Sequence, residues 1–128
     1  KSLPWEVVEE LSFQKAKEIA DLQTEECIVI GSDTIVAKSE KIMGKPKNEA
    51  DAFDMLSEIA GDCHQVYTGV SFSVLKEDGS IDSHVFYEET TTVPAGMYYA
   101  IPTQSHPSGM YYLYIIQGSN YVIGTFSQ

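Results

Sequence analysis

An α/β domain built on a mixed, twisted β-sheet flanked by helices is predicted by three features of the sequence. Apolar residues recur at helical spacing from Leu3 to Leu22, a continuous apolar run follows from Cys27 to Ala37, and apolar and polar residues alternate from Val66 onward. Helix, strand, helix and then hairpins read in that order as a single domain over residues 1–128.

The first helix is predicted from Leu3 to Leu22. Pro4 suits the first helical position, and Glu6, Glu9 and Glu10 lie in the early turns, where the helix dipole favours acids. Val8, Leu11, Ile19 and Leu22 form its expected inward stripe, which Lys15 interrupts on the same i, i+4 row; the ammonium either snorkels to the rim or points into a polar pocket. Cys27 to Ala37 is apolar on both faces, as a strand covered on both sides would be. Asp33 stands inside that run and shares a strand face with Val29 and Ile35, where a carboxylate needs a cation, hydrogen bonds or a cleft; the alternative is a loop Asp in an Asx turn. A linker from Lys38 to Lys47 contains Gly44-Lys45-Pro46, whose proline holds Lys45 extended. The second helix has Asn48 as N-cap, an expected apolar face of Phe53, Leu56 and Ala60, and Gly61 as its stop. Val66 to Leu75 and Ile81 to Val93 form a long hairpin around Glu77-Asp78-Gly79-Ser80, and Met110 to Ile116 pairs with Tyr121 to Phe126 after an irregular stretch.

Composition excludes several classes of function. Eight basic residues, all lysine, stand against 19 acids, for a net charge of −11. Such a surface cannot neutralise a phosphate backbone, so nucleic acid is excluded as the main partner, whereas a single polyphosphate held by lysines or a metal is not. No run reaches the ~20 apolar residues a membrane span needs. Cys27 and Cys63 lack CxxC spacing and read as reduced thiols, which points to the cytoplasm. The chain opens on Lys1-Ser2-Leu3-Pro4 without an initiator Met, as expected of a fragment or of a chain missing its first segment.

Few residues remain for chemistry. Gly44-Lys45 is no P-loop, because Pro46 stands where that motif needs Ser or Thr. His64, His84 and His106 lack metal-ligand spacing and read as structural or exposed. One of Glu88 and Glu89 faces solvent in an extended strand and the other can reach a cleft. What is left is a single awkward carboxylate and a few lysines in an acidic chain. A hard divalent cation shared between that carboxylate and substrate phosphates would use them all, which points to metal-assisted phosphoanhydride hydrolysis.

Several motifs carry a resemblance. Val29-Ile30-Gly31-Ser32-Asp33-Thr34-Ile35-Val36, then Met43-Gly44-Lys45-Pro46-Lys47, then Val66-Tyr67-Thr68-Gly69-Val70 resemble the Maf family of nucleoside triphosphate pyrophosphatases in order and spacing, as do Val8-Glu9-Glu10-Leu11 and Lys15-Ala16 upstream. The likeness runs over residues 3–93. It implies a fold similar to that of the inosine triphosphate pyrophosphatases. The implied activity is Mg²⁺- or Mn²⁺-dependent cleavage of a non-standard or pyrimidine triphosphate, dTTP- or UTP-like, to the monophosphate and pyrophosphate. By the same resemblance Asp33 takes the proton of the attacking water and stands near the metal, Lys15 and Lys45 are the active-site lysines, and Thr34 affects base selectivity. Tyr114-Ile115-Ile116-Gln117-Gly118 is similar to the segment whose Gln reads the base, which makes Gln117 the candidate. The family's Arg-containing phosphate loop and metal-binding Glu would both precede Lys1.

Two further readings stay open at this point. One is a catalytically incomplete relative that binds nucleotide or protein and is linked to cell-division control. The other is an acidic domain whose tyrosines, among them Tyr98, Tyr99, Tyr111, Tyr112 and Tyr114, meet a partner or form a homodimer.

Overall fold

A computed structural model describes residues 2–94 in full and the backbone of residues 110–117 and 120–127. The chain falls into two compact units, Lys1–Thr92 and Val93–Gln128. The first unit holds, in order, α1 (Pro4–Ala20), β1 (Cys27–Lys38), β2 (Lys41–Met43), α2 (Glu49–Ile59), β3 (His64–Leu75) and β4 (Ile81–Thr92). Its sheet has the order β2-β1-β3-β4 with antiparallel pairing throughout. The second unit contains the expected hairpin, β5 (Met110–Gln117) paired antiparallel with β6 (Asn120–Ser127).

The α/β class is as expected. So are the long strand from Cys27, the hairpin that follows Val66, and the start of α2, where Asn48 Oδ1 accepts from the Asp51 N–H at 2.8 Å and Asp51 Oδ2 accepts from the Lys47 N–H at 2.9 Å. The helix ends at Ala60, whose ψ of 131° is extended, and Gly61, at φ +70°, supplies the left-handed residue of the turn that follows. The linker contains one element that the sequence did not signal. Ser39 and Glu40, at φ 51° and 64°, fold Lys41–Met43 back onto Val36–Lys38 as the short strand β2. A two-residue turn with both φ positive is normally announced by Asn-Gly, and Ser-Glu carries no such signal.

Of the expected inward stripe of α1, Val8 alone is buried. Leu11, Ile19 and Leu22 are exposed, and the buried stripe is Trp5, Val8, Ser12, Ala16 and Ala20. The surface beneath explains it. On its helix side the sheet presents Gly31, Gly69, Ser71 and Ser73, so the helix backbone descends until only small side chains fit between the layers. Larger residues pack only at its start, where Trp5 and Val8 join Tyr67 and Ala37, with Trp5 ring centroids 6.0 Å from Tyr67 and 6.2 Å from Tyr87.

Two expected burials are also corrected. Among the described residues, β1 is covered on the α1 side alone; Ile28 and Ile30 are 64% exposed. The apolar face of α2 is likewise uncovered, with Phe53 71% and Leu56 64% exposed and no residue of the helix buried. This helix is held by polar links at its far end. Lys38 Nζ donates to the Glu58 carbonyl at 2.6 Å and pairs with Asp62 Oδ2 at 3.0 Å; that bond and the Cys63 N–H hold the Asp62 carboxyl below its ordinary range.

One consequence of the close helix packing titrates. Burial, and after it the charge of Glu6, pushes the Glu9 carboxyl above its ordinary pKa. The folded chain then binds that proton more tightly than the unfolded chain. The associated stability is present at low pH and is lost as pH rises through the raised value. Glu9→Gln is therefore expected to raise Tm at pH 7 and to leave it unchanged below about pH 4, where both states carry the proton. Thermal unfolding at the two pH values checks this.

Candidate active site

Asp33 lies within β1, not in a loop, and opposite Gly69 of β3. Strand parity places it with Val29, Gly31 and Ile35 on the face that α1 covers. Because the glycines let α1 approach, its fourth turn delivers Lys15 to the carboxylate. Lys15 Nζ stands 2.7 Å from Asp33 Oδ1 and donates also to the Ser32 carbonyl at 3.1 Å. The lysine side chain is 56% exposed and that of Asp33 18%, so the pair sits at the rim of the layers with the cation outermost. Lys15 thus resolves as the charge that meets Asp33, and Ser32 is a partner the sequence did not single out.

The pair lies along an open strand edge. β2 pairs only with Val36–Lys38, so from Cys27 to Ile35 β1 has β3 on one side and, among the described residues, no strand on the other. Met43 pairs with Val36 and β2 runs antiparallel to β1, so Gly44 and Lys45 leave the sheet on the Asp33 side of that pairing. The chain therefore leaves β2 heading toward Asp33, but among the described residues Lys45 makes no hydrogen bond or ion pair with Asp33 or its neighbours.

Thr34 faces the other way. Its Oγ1 lies 2.9 Å from the Oγ1 of Thr68, its cross-strand neighbour, on the face away from α1. Reading the sequence found Thr34 but not Thr68; the signal was available in Thr68-Gly69, which places a hydroxyl and a gap at consecutive strand positions. Gln117 ends β5 opposite Asn120, and its side chain is outside the described residues, as are those of Tyr98, Tyr99, Tyr111, Tyr112 and Tyr114. Glu88 is the exposed member of its pair and Glu89 the half-buried one.

The fit to a metal is specific in kind. Among the described residues no three His, Cys, Asp or Glu side chains gather as a cation cage. Asp33 Oδ1 is engaged by Lys15, while Oδ2 takes no hydrogen bond from the described residues. One free carboxylate oxygen beside a cation suits a Mg²⁺ or Mn²⁺ ion that draws its remaining ligands from substrate phosphates and water, and does not suit an ion held by protein alone. A hollow of about 550 Å³ bordered by Thr24, Glu26, Leu75 and Lys76 lies at the Cys27 end of β1 and takes no part in this arrangement.

Fold and site together define an α/β domain with a carboxylate–lysine pair set at an open strand edge beside a Gly-Lys-Pro segment. A family model, Maf-like protein, matches residues 1–97, and the chain belongs to that family. Among curated relatives it is 43% identical over 99 residues to the dTTP/UTP pyrophosphatase of Agathobacter rectalis, an alignment covering 68% of this chain and 48% of the relative. It is 45% identical over 87 residues to that of Lachnoclostridium phytofermentans (68% and 44%), and 42% identical over 89 residues to that of Bacillus cereus (70% and 44%). The chain thus spans about half the length of the curated relatives it matches.

Proposed function

We propose that this chain carries the carboxylate–lysine half of a nucleoside triphosphate pyrophosphatase site, releasing pyrophosphate and a monophosphate from dTTP- or UTP-like substrates. The observation that carries the reading is the 2.7 Å pair between Lys15 and Asp33, set in a Maf-like chain at an open strand edge. The activity for which the relatives are named supports the substrate class. Water attacks the α-phosphorus, Asp33 accepts the proton that the water loses, and the bond to the bridging oxygen breaks, so that the β- and γ-phosphates depart together. Lys15 fixes the carboxylate and adds positive charge beside it. Lys45, held extended by Pro46, offers a second cation to the phosphates. Thr34, on the opposite face, and Gln117 are the positions assigned to the base.

A divalent ion, Mg²⁺ or Mn²⁺, belongs to this reading, with Asp33 as its protein ligand; when bound it would neutralise phosphate charge. Removing it is expected to abolish turnover. Pyrophosphate release from dTTP, UTP, dATP and GTP, each with Mg²⁺, with Mn²⁺ and with excess EDTA, is the test. Release confined to the pyrimidine triphosphates and lost in EDTA is the expected result, and equal release in EDTA would overturn the metal's part. The reading places this activity in the cytoplasm, supported by two free cysteines. No helix of the described residues is long and apolar enough to cross a membrane. Two copies act together in this reading, supported by the long edge strand β4.

A further inference from the structure

β4 closes the sheet order and runs for 12 residues, and most of its residues are exposed. Among the described residues it has β3 on one side and no strand on the other, so a row of main-chain donors and acceptors faces outward. Its middle, Val85-Phe86-Tyr87, is apolar on both faces. That is unusual for an edge meant to stay in water and usual for one that is covered. Natural edges are commonly blunted by Lys or Pro, and β4 contains neither.

We propose that β4 pairs with β4 of a second copy of this chain, antiparallel and centred on Phe86, joining two sheets into one. Two-fold antiparallel pairing opposes residues of the same parity, because facing residues share a side of the sheet. Centred on Phe86, it sets His84 against the partner's Glu88 and Glu88 against the partner's His84. Asp82 then meets the partner's Thr90, Val85 the partner's Tyr87, and Ser83 the partner's Glu89. No like charges oppose each other, and the two Phe86 rings meet at the axis. Each already stacks on its own Phe72, with centroids 6.0 Å apart. Moving the centre to Val85 opposes Asp82 to the partner's Glu88, moving it to Tyr87 sets Phe86 against the partner's Glu88, and moving it to Glu88 opposes two glutamates. Of the four centres from Val85 to Glu88, Phe86 alone sets the His84 imidazole against a carboxylate and no acid against an acid or an aromatic ring, and it pairs almost the whole strand. The open faces with Ile28, Ile30, Phe72 and Phe86 would run on as one surface, and the Asp33 edges would lie at the two far ends of the joined sheet.

This inference rests on the two-copy part of the reading above, and the experiment separates them. Each copy carries a net charge of −11, so the native chain is run in sedimentation velocity at about 0.15 M salt, where the Debye length is ~8 Å. A dimer is expected. His84→Asp is expected to weaken it about tenfold, because symmetry places two like-charge pairs in the interface, and His84→Glu combined with Glu88→His should restore it. In a chain whose Cys27 and Cys63 are replaced by Ser, Phe86→Cys is expected to oxidise to a covalent dimer, since directly opposed residues lie about 4.5–5.5 Å apart. Thr90→Cys should not, because that register keeps its two copies roughly 27 Å apart. A monomer at all concentrations up to ~100 µM, well above a micromolar Kd, would overturn both the two-copy reading and the pairing. A dimer that neither cross-links through Cys at position 86 nor responds to His84→Asp would overturn the pairing alone.

Discussion

Replacing Gly69 by alanine is expected to destabilise the first unit by about 3 kcal/mol or more, enough to leave much of the chain unfolded. A Cβ there would stand 2.1 Å from the Val8 carbonyl oxygen, 2.4 Å from its carbon and 2.9 Å from the Glu9 nitrogen. All three are backbone atoms of α1, so no side chain can swing aside. Either the helix rises off the sheet, opening the layer that holds Trp5, Val8 and Tyr67, or β3 bends and its pairing with Asp33 breaks. Gly31 presents the same problem, with the Ser12 carbonyl oxygen at 2.4 Å and the Ala16 nitrogen at 2.8 Å. Gly44 is the control. Among the described residues nothing lies within 4 Å of a Cβ added there, so Gly44→Ala is expected to change stability by less than about 0.5 kcal/mol. Denaturant unfolding of the two variants beside the native chain decides the matter, and a loss of under 1 kcal/mol for Gly69→Ala would mean that the layers are not so closely set.

Asp33→Asn is expected to reduce pyrophosphate release about 10²–10⁴-fold, the contribution of a positioned proton acceptor. The amide keeps the shape of the carboxylate and an oxygen for Lys15, but it cannot take a proton from water. Stability should hardly move. The ion pair is outermost and more than half exposed on the lysine side, and such pairs contribute at most ~1 kcal/mol. The combination is diagnostic. Loss of turnover with Tm nearly unchanged assigns Asp33 to the chemistry, loss of both would make it a structural residue, and retained turnover would sink the mechanism.

Much of this arrangement was legible in the sequence because its signals are local. Asn48 and Asp51 cap α2 with side chains that accept from main-chain N–H groups three and four residues away, and alternation beyond Val66 marks a strand whatever it packs on. Asp33 and Lys15 were each visible as a charge in the wrong place, one inside an apolar strand and one inside an apolar stripe. Their meeting was not, because it depends on how far α1 sinks onto the sheet, and that is set by glycines remote in sequence. The same glycines misdirect the helix face. Where the layer beneath lacks side chains, small residues turn inward and Leu11, Ile19 and Leu22 turn out, reversing the usual rule of size. β2 escaped notice for the opposite reason: its turn is made by residues that resist the conformation they adopt.

That turn bears on the order in which the molecule assembles and comes apart. Ser39 and Glu40 each occupy left-handed backbone space, which disfavours an ordinary L-residue by roughly 1–2 kcal/mol. A hairpin closed by such a turn does not form early on its own; β1 must first be held by α1 and β3. Only three residues of β2 then secure the strand that leads into Gly44-Lys45-Pro46. The segment that carries Lys45 is therefore secured by far fewer main-chain pairs than join β1 to β3. Its release costs less than opening the sheet, and the lysine proposed to face the phosphates is tethered to a weakly held corner of the unit.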